Sequence, residues 1–425
     1  MTEPPISISV VIPTCNRKPV VLRTLEALAQ QDGITEVIVV DDGSTDGTAA
    51  AVREVRAKWP VQVIEQPNKG PGAARNAGWR AAQSTHILFL DDDMLTAPGL
   101  VTAHQAAHAD GASTIAMGAI RLSEGSPQTL ASMCFEREYA VHAQAWSQAE
   151  LGFWLDVPIV FSNTSLPRRL LEESGGFDEV FRMREDLELG YRLLQADAKP
   201  RAVPAAVAFQ HYTKSARDLL RDAEIFAESD VLFAQKHPEN RVKGQLNWLK
   251  AQRRNALELA VAMEWIAEPL LAAACATCNL VPALRNLGMR ALTAWRRLRW
   301  YGHVLQRTGE LRRVQKLVML KLAHTAVWAI FALAILAIPI LGALGHFRAA
   351  LWLAAIVLCE CLTLSLNRWR CPISNVADRL TEDRSPNYDI YLPEWLARWN
   401  KEIFGTLFVL GLLKLAEEWW KIIST

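Results

Sequence analysis

Residues 325–345 form a run of 21 residues without a single charge. At about 1.5 Å of rise per residue, a helix of that length crosses the roughly 30 Å hydrocarbon core of a bilayer. Pro339 lies inside the run, where a membrane helix tolerates it. A second run, residues 349–366, is broken only by Glu360. Just His346, Phe347 and Arg348 separate the two, so the pattern predicts a tight helical hairpin with spans at about 325–345 and 349–366. Arg312, Arg313, Lys316, Lys321, Arg368 and Arg370 flank its outer ends, against Arg348 alone at the tip. The positive-inside rule then predicts an inner-membrane protein whose main domain faces the cytoplasm. The first residues show no signal-peptide pattern, in keeping with that orientation. A third apolar run, 403–413, leads into Lys414, Glu417, Glu418, Trp419 and Trp420, so 403–422 reads as interfacial or as a third span. Glu360 is costly in hydrocarbon unless partnered, and its partner stays open. Buried core helices of a soluble protein are the alternative reading of the hairpin.

The chain has 425 residues, 51% of them hydrophobic and 21% charged, which excludes a disordered chain. A net charge of +1 leaves no global basic field for nucleic acid. Seven scattered cysteines do not make a disulfide scaffold. Cys275 and Cys278, a lone CxxC in an apolar stretch, read as packing residues. Residues 285–321 carry ten Lys/Arg and one acid, Glu310, interleaved with Trp295, Leu298 and Trp300. That pattern predicts an amphipathic, basic segment at the membrane surface.

The first hundred residues alternate strand and helix patterns. Apolar runs at 6–13, 36–42, 61–65 and 86–93 are separated by helical stretches at 18–31, 45–58 and 71–83. Such alternation predicts a parallel, helix-covered sheet, whose ligands bind at the carboxyl ends of the strands. Asp41, Asp42, Asp91, Asp92 and Asp93 stand at such ends. Residues 111–245 are mixed and carry no clear period.

Four loops have the chemistry to hold a nucleoside diphosphate: IPTCNRK (12–18), VDDGSTDG (40–47), NKGPGAARNAG (68–78) and FLDDDM (89–94). A strand-end carboxylate accepts a base N–H or a ribose hydroxyl. Gly70 and Gly72 let backbone approach a ligand, and Arg75 offers a fork of donors to phosphate. Asp91, Asp92 and Asp93 supply hard oxygens for Mg²⁺ or Mn²⁺. Each motif also has a plain reading: an Asp/Gly turn, a capped helix start, a Gly/Pro-opened helix. No GxGxxG follows the first strand and no GxxxxGK[ST] occurs, against a dinucleotide dehydrogenase and a P-loop NTPase. Further on, GGFDEVFRMREDLELGYRL (175–193) breaks at two glycines and opens a helix with Glu185, Asp186 and Glu188.

Taken in order, PTCNR, DDGSTDG, NxGxxxARN, LDDD and GGFDE…ED…LGYRL resemble the family 2 glycosyltransferases over roughly residues 6–235. The resemblance implies an α/β, Rossmann-like GT-A fold and an inverting transfer of sugar from a nucleoside-diphosphate sugar, a UDP-sugar foremost. It implies that Pro13, Thr14, Asn16 and Arg17 lie near the base. Asp41 and Asp42 would contact base and ribose, while Asn68, Gly70 and Arg75 would line the nucleotide or diphosphate. Asp91 and Asp92 would help hold the donor, and Asp93, with Asp91 and His211, would bind a divalent metal. Asp186 would be the general base, and Asn163, Trp154 and Glu185 would contact the acceptor. The processive members' QxxRW is only echoed, at residues 252–255 and 367–369, which favours single-sugar transfer.

The expected organisation is a catalytic domain over 1–245, a helical, basic membrane-interface region over 246–321, and a membrane region over 322–425. The expected acceptor is a membrane lipid or lipid-linked glycan, with no nucleic acid, and the oligomeric state is left open. A non-catalytic nucleotide-sugar-binding or scaffold protein on the same fold is the rival reading. A nucleotidyltransferase is a second rival, lacking here its usual Gly-rich, Arg-containing first loop.

Overall fold

Strand β1 (Ile8–Thr14) is buried on both of its faces. Val10 and Ile12 join one apolar cluster with Val37 and Val39 of strand β2 (Ile34–Asp41). Val11, Ile38 and Val40 join another, because side chains alternate across a strand. Helix α1 (Lys18–Leu28) covers the first face with Val21, Leu25 and Leu28, at the three- and four-residue steps of a helical stripe. Helix α3 (Pro71–Ala81) covers the second with Ala74 and Trp79. The structure, a computed structural model, describes residues 6–110, 113–148, 159–239 and 254–424.

The remaining strands are β3 (Val61–Glu65), β4 (His86–Leu90), β5 (Met94–Thr96), β6 (Thr114–Leu122), β7 (Asn163–Pro167) and β8 (Lys199–Gln210). The eight-stranded order is β3-β2-β1-β4-β7-β6-β8-β5. The parallel sheet expected from the first hundred residues is present as β3-β2-β1-β4. Beyond that point the sheet is mixed, β7 pairing antiparallel with both β4 and β6. Between the strands lie α2 (Thr48–Arg53), α4 (Leu100–Ala107), α5 (Leu130–Gln148), α6 (Arg168–Ser174), α7 (Glu185–Gln195) and α8 (Ala216–Lys236).

Helices α9 (Arg254–Ala262), α10 (Glu264–Leu280) and α11 (Arg285–Arg307) follow. The chain divides into two compact units, the first holding Met1–Arg254 with Trp265–Arg307 and the second Asn255–Glu264 with Thr308–Thr425. In the first unit Met289 and Leu292 of α11 share a core with Leu130, Ala131, Cys134 and Phe135 of α5. Arg296 pairs with Glu138, Arg307 with Glu228, and Arg299 donates at 3.0 Å to both Glu224 and Glu268. Much of the basic face of 285–307 is therefore neutralised by acids of its own unit. Cys275 and Cys278 are buried free thiols, in line with packing.

The second unit is built on α12 (Leu311–Ala343), α13 (Phe347–Leu366), α14 (Pro372–Ala377) and α15 (Glu394–Ile423). Among the described residues, α12 and α13 are the two single helices long and apolar enough to cross a membrane. Glu360 is half-buried on α13. The third apolar run is part of α15, a 30-residue helix whose Phe408 and Leu415 pack with Ile335 and Ile338 of α12. Close approach is made by glycine: a Cβ on Gly342 would lie 2.9 Å from Leu415 Cδ1, and one on Gly411 would lie 3.3 Å from Pro339 Cδ.

Candidate active site

The parallel strands β1, β2 and β4 end together, which gathers loops far apart in sequence. The Asp42 N–H donates to the Thr14 carbonyl at 2.9 Å and ties the first two ends. Asp42 is buried, and its carboxylate accepts from Gln66 Nε2 (2.7 Å) and from the Lys69 (2.9 Å) and Gly70 (2.8 Å) backbone N–H groups. Asp41, also buried, accepts from the Ser44 N–H at 2.7 Å. Both carboxylates are engaged in shaping the loops that open α2 and α3. Asn16 sits at φ +52°, and its Oδ1 accepts from the Thr45 N–H at 2.8 Å, so it too joins two loops. Asn68 Nδ2 lies 3.4 Å from Cys15 Sγ. Gly43, at φ +86°, has no alternative, since a Cβ there would stand 2.8 Å from the Asn68 nitrogen. Pro13 continues β1 opposite Val40. These loops form the side on which a nucleotide would lie.

The aspartates after β4 are divided between two guanidinium groups. Arg17 donates to Asp92 at 2.7 Å and to Asp93 at 3.1 Å. Thr14 donates to Asp92 at 2.7 Å, and Gln210 Nε2 lies 3.2 Å from both oxygens of Asp93. Burial pushes the Asp92 carboxyl up to about 7 against the pull of Arg17, and raises Asp93. Arg75, buried on α3, donates to Asp91 at 2.9 Å and to Glu185 at 2.5 Å, and its guanidinium lies 5.7 Å from the Phe177 ring. Burial opposes its charge, but Asp91 and Glu185 outweigh that and raise its pKa. One side chain thus braces α3, the end of β4 and the start of α7.

The Glu185–Asp186 pair opens α7 from an unusual cap. Arg184 adopts the left-handed conformation, φ +67°. Its guanidinium stacks 4.3 Å from the Phe226 ring and meets Asp230 at 3.4 Å, while Trp300 Nε1 donates to Asp230 at 2.8 Å. Those contacts hold a backbone geometry that a non-glycine residue rarely adopts. Glu185 is buried, and burial, only partly offset by Arg75, pushes it up to about 7. Asp186 keeps part of its surface open to solvent. Protein nonetheless surrounds most of it, and that burial raises its carboxyl above the ordinary range against the pull of Arg75, with Asp91 adding to the rise. Glu185 is half of the Arg75 brace.

Tyr139 of α5 gave no signal in the sequence, because one Tyr in an unpatterned helix looks like core. Its ring packs on Phe135 at 4.6 Å, and Phe135 stacks on Tyr212 at 4.5 Å. Its hydroxyl meets Ser162 and lies within the field of Asp91, Asp186 and Asp93, and burial raises its pKa. Gln210 and Arg184 were likewise missed, although both adjoin residues that the motifs singled out.

Asn163 is buried between strands: Nδ2 donates to the Ala206 and Ala119 carbonyls at 3.0 and 3.2 Å, and Oδ1 meets His104 Nε2 at 3.0 Å. Its carboxamide thus ties β7 to β6 and β8. His211 reaches Asp93 through its backbone, N–H to carbonyl at 2.9 Å. Among the described residues no three His, Cys, Asp or Glu side chains converge as a ready metal cage. Asp91 and Asp93 still fit a hard cation, because Mg²⁺ and Mn²⁺ are commonly held by one or two carboxylates with substrate phosphates completing the shell. Trp154, Gln252 and Arg253 lie outside the described residues.

A half-parallel sheet closed by an antiparallel strand, with acids at its carboxyl ends facing a Glu–Asp pair at a helix start, defines a GT-A glycosyltransferase domain. Residues 9–142 match the model for glycosyl transferase family 2. The succinoglycan biosynthesis protein ExoO of Rhizobium meliloti (strain 1021) is 29% identical over 309 residues, 68% of this chain and 86% of that protein. Validoxylamine A glucosyltransferase of Streptomyces hygroscopicus subsp. jinggangensis (strain 5008) is 34% identical over 215 residues, 44% of this chain and 51% of that protein. This chain therefore spans about half the length of the latter. Mannosyltransferase PcManGT of Pyrobaculum calidifontis, solved with GDP-Man and Mn²⁺, aligns over 69% of this chain and 86% of its own at 20% identity and TM-score 0.47. Over this stretch the chain is similar to the family 2 glycosyltransferases.

Proposed function

We propose that the chain inverts the anomeric centre as it moves a sugar from a nucleoside-diphosphate sugar, a UDP-sugar foremost, to a hydroxyl acceptor. Asp186 is the general base, taking the proton of the acceptor hydroxyl as its oxygen attacks the anomeric carbon opposite the diphosphate. The supporting observation is the Arg75 brace, which sets Glu185, the first residue of α7, beside Asp91, 94 positions earlier in the chain. Burial keeps Asp186 more basic than a free carboxylate, which suits proton abstraction near neutrality. Arg17 and Arg75 supply positive charge along the diphosphate side. Asp91 and Asp93 would hold a divalent cation, Mn²⁺ or Mg²⁺, whose charge favours departure of the nucleoside diphosphate.

The acceptor is a lipid or a lipid-linked glycan of the cell envelope, met at the inner membrane by a domain facing the cytoplasm. Two helices able to cross a membrane and a relative named for succinoglycan biosynthesis support that placement.

The test is calorimetric titration of purified chain with UDP-, GDP- and dTDP-sugars, with Mn²⁺, Mg²⁺ or EDTA, followed by transfer assays on Asp186→Asn. The expectation is tight binding of one donor, lost in EDTA. Asp186→Asn should keep donor affinity and lose about 10²–10⁴-fold in transfer, the usual contribution of a general base. Unchanged transfer would remove Asp186 from the role. Donor binding without transfer in the parent protein would favour the scaffold reading.

A further inference from the structure

Helix α10 turns one whole apolar side to solvent. Trp265 is 75% exposed, Leu270 65% and Leu280 82%. Ala273 and Thr277 lie between them at four-residue steps and are exposed as well. The opposite side of the helix carries Cys275, which packs into the core shared by α5 and α11. The exposed face continues past the helix through Val281, Leu284 (39%) and Leu287 (56%). Isolated exposed leucines need no explanation, but a continuous stripe of them does.

Charge says what covers it. From residue 269 to residue 309 there is no Asp or Glu. Arg290 follows Leu287 by three residues on α11, and Arg297 follows by seven more; both are exposed on the same side. An acid-free apolar stripe edged with arginine complements the headgroup boundary of an anionic leaflet. A second protein surface of ordinary composition would bring no need for so long an acid-free run. The same chain supplies a bilayer: α12 starts four residues after α11 ends and carries the charge-free run 325–343.

We propose that the face formed by Trp265, Leu270, Leu280, Leu284 and Leu287 lies in the anionic membrane leaflet, parallel to its plane, as a lipid contact separate from the spans. The inference rests on the reading that α12 and α13 cross the membrane. Within the membrane-interface region expected over 246–321, it assigns the lipid contact to one face of α10 and its continuation to Leu287.

The experiment uses the full chain in nanodiscs of phosphatidylcholine and phosphatidylglycerol in equal parts. A fluorescent amino acid is placed singly at positions 270, 280 and 284, at Ile330 on α12 as the span reference, and at exposed Val180 as the water reference. Quenching by iodide is compared with quenching by lipids brominated near the headgroup or deep in the chains. Positions 270, 280 and 284 should lose the iodide quenching seen at 180 and gain quenching by the shallow bromines. Position 330 should be quenched by the deep ones. Iodide quenching at all three positions, with 330 in lipid, overturns the inference and leaves the spans standing. Protection from both quenchers means that a second copy or another protein covers the face, which also overturns it. Loss of lipid quenching at 330 itself overturns the membrane reading and this inference together. The three positions are solvent-exposed, so no single substitution has core packing to disturb.

Discussion

Arg75 answers two carboxylates drawn from different parts of the chain, and its removal leaves both unpaired. Arg75→Met should destabilise the catalytic unit by about 3–5 kcal/mol, since breaking one partner of a buried pair strands the other charge. Replacing Glu185 by Leu as well should recover part of that loss, and thermal melting of the single and double variants checks both. A second residue-scale effect concerns histidine. His104 is fully buried, with Nδ1 at 2.9 Å from Ser165 Oγ, and burial depresses it to about 4. His108 is buried with Nε2 at 2.7 Å from the same hydroxyl, and burial, aided by His86, takes it to about 3. Both stay neutral in the fold while the unfolded chain titrates near 6.5. Their contribution is therefore complete above pH 6.5 and is lost as pH falls from there toward 4. At pH 5 the loss should approach about 2 kcal/mol for each histidine. The melting temperature should drop between pH 7 and pH 5, and His104→Gln with His108→Gln should flatten that slope. The aspartates at the strand ends were legible in the sequence, because apolar runs stop at acids. Tyr139 was not, since nothing local distinguishes a phenol that tertiary packing carries to the carboxylates.

Elements were legible where a period was strong. Strands β1 to β4 and helices α1 and α3 each repeat an apolar step, and the Gly70–Pro71 start of α3 is a helix-opening signal. Strand β7 was hidden because its first three residues, Asn163, Thr164 and Ser165, are polar yet buried, their hydrogen bonds coming from neighbours no window contains. Strand β8 was obscured by Pro200 and Pro204, the second within the register shift after Gly118. At this scale α3 seats on the sheet through one glycine. A Cβ on Gly78 would lie 2.3 Å from Val11 Cγ1 and 3.2 Å from Val40 Cγ2. Gly78→Ala must push helix and sheet apart, at a cost of about 1–3 kcal/mol typical of overpacking. The lowered melting temperature should come with weaker donor binding, because α3 carries Arg75; a neutral Gly78→Ala would show the packing to be looser than described.

On the scale of the whole molecule the chain makes two bodies from different kinds of pattern. One carries acids at strand ends, and the other carries long helices with extended apolar runs held by small residues. Gly342→Leu would place a branched side chain where even a Cβ comes within 2.9 Å of Leu415. It should loosen α12 from α15 by about 1–3 kcal/mol. A lower melting temperature in detergent, with donor affinity kept, would show the second body failing while the first stays folded. The strand order has a further consequence, in time. Leu90 of β4 pairs with Asn163 of β7, roughly 70 residues later in the chain. At about 5–20 residues per second of synthesis, β4 waits some 4–15 s with one edge unpaired. The stretch that matches the family model ends at residue 142, before β7 exists. A chain cut there would keep β4 and β6 without the strand that joins them, each presenting an open edge to its copies. The ribosome must therefore carry the nascent sheet past residue 167 before it is safe from its neighbours.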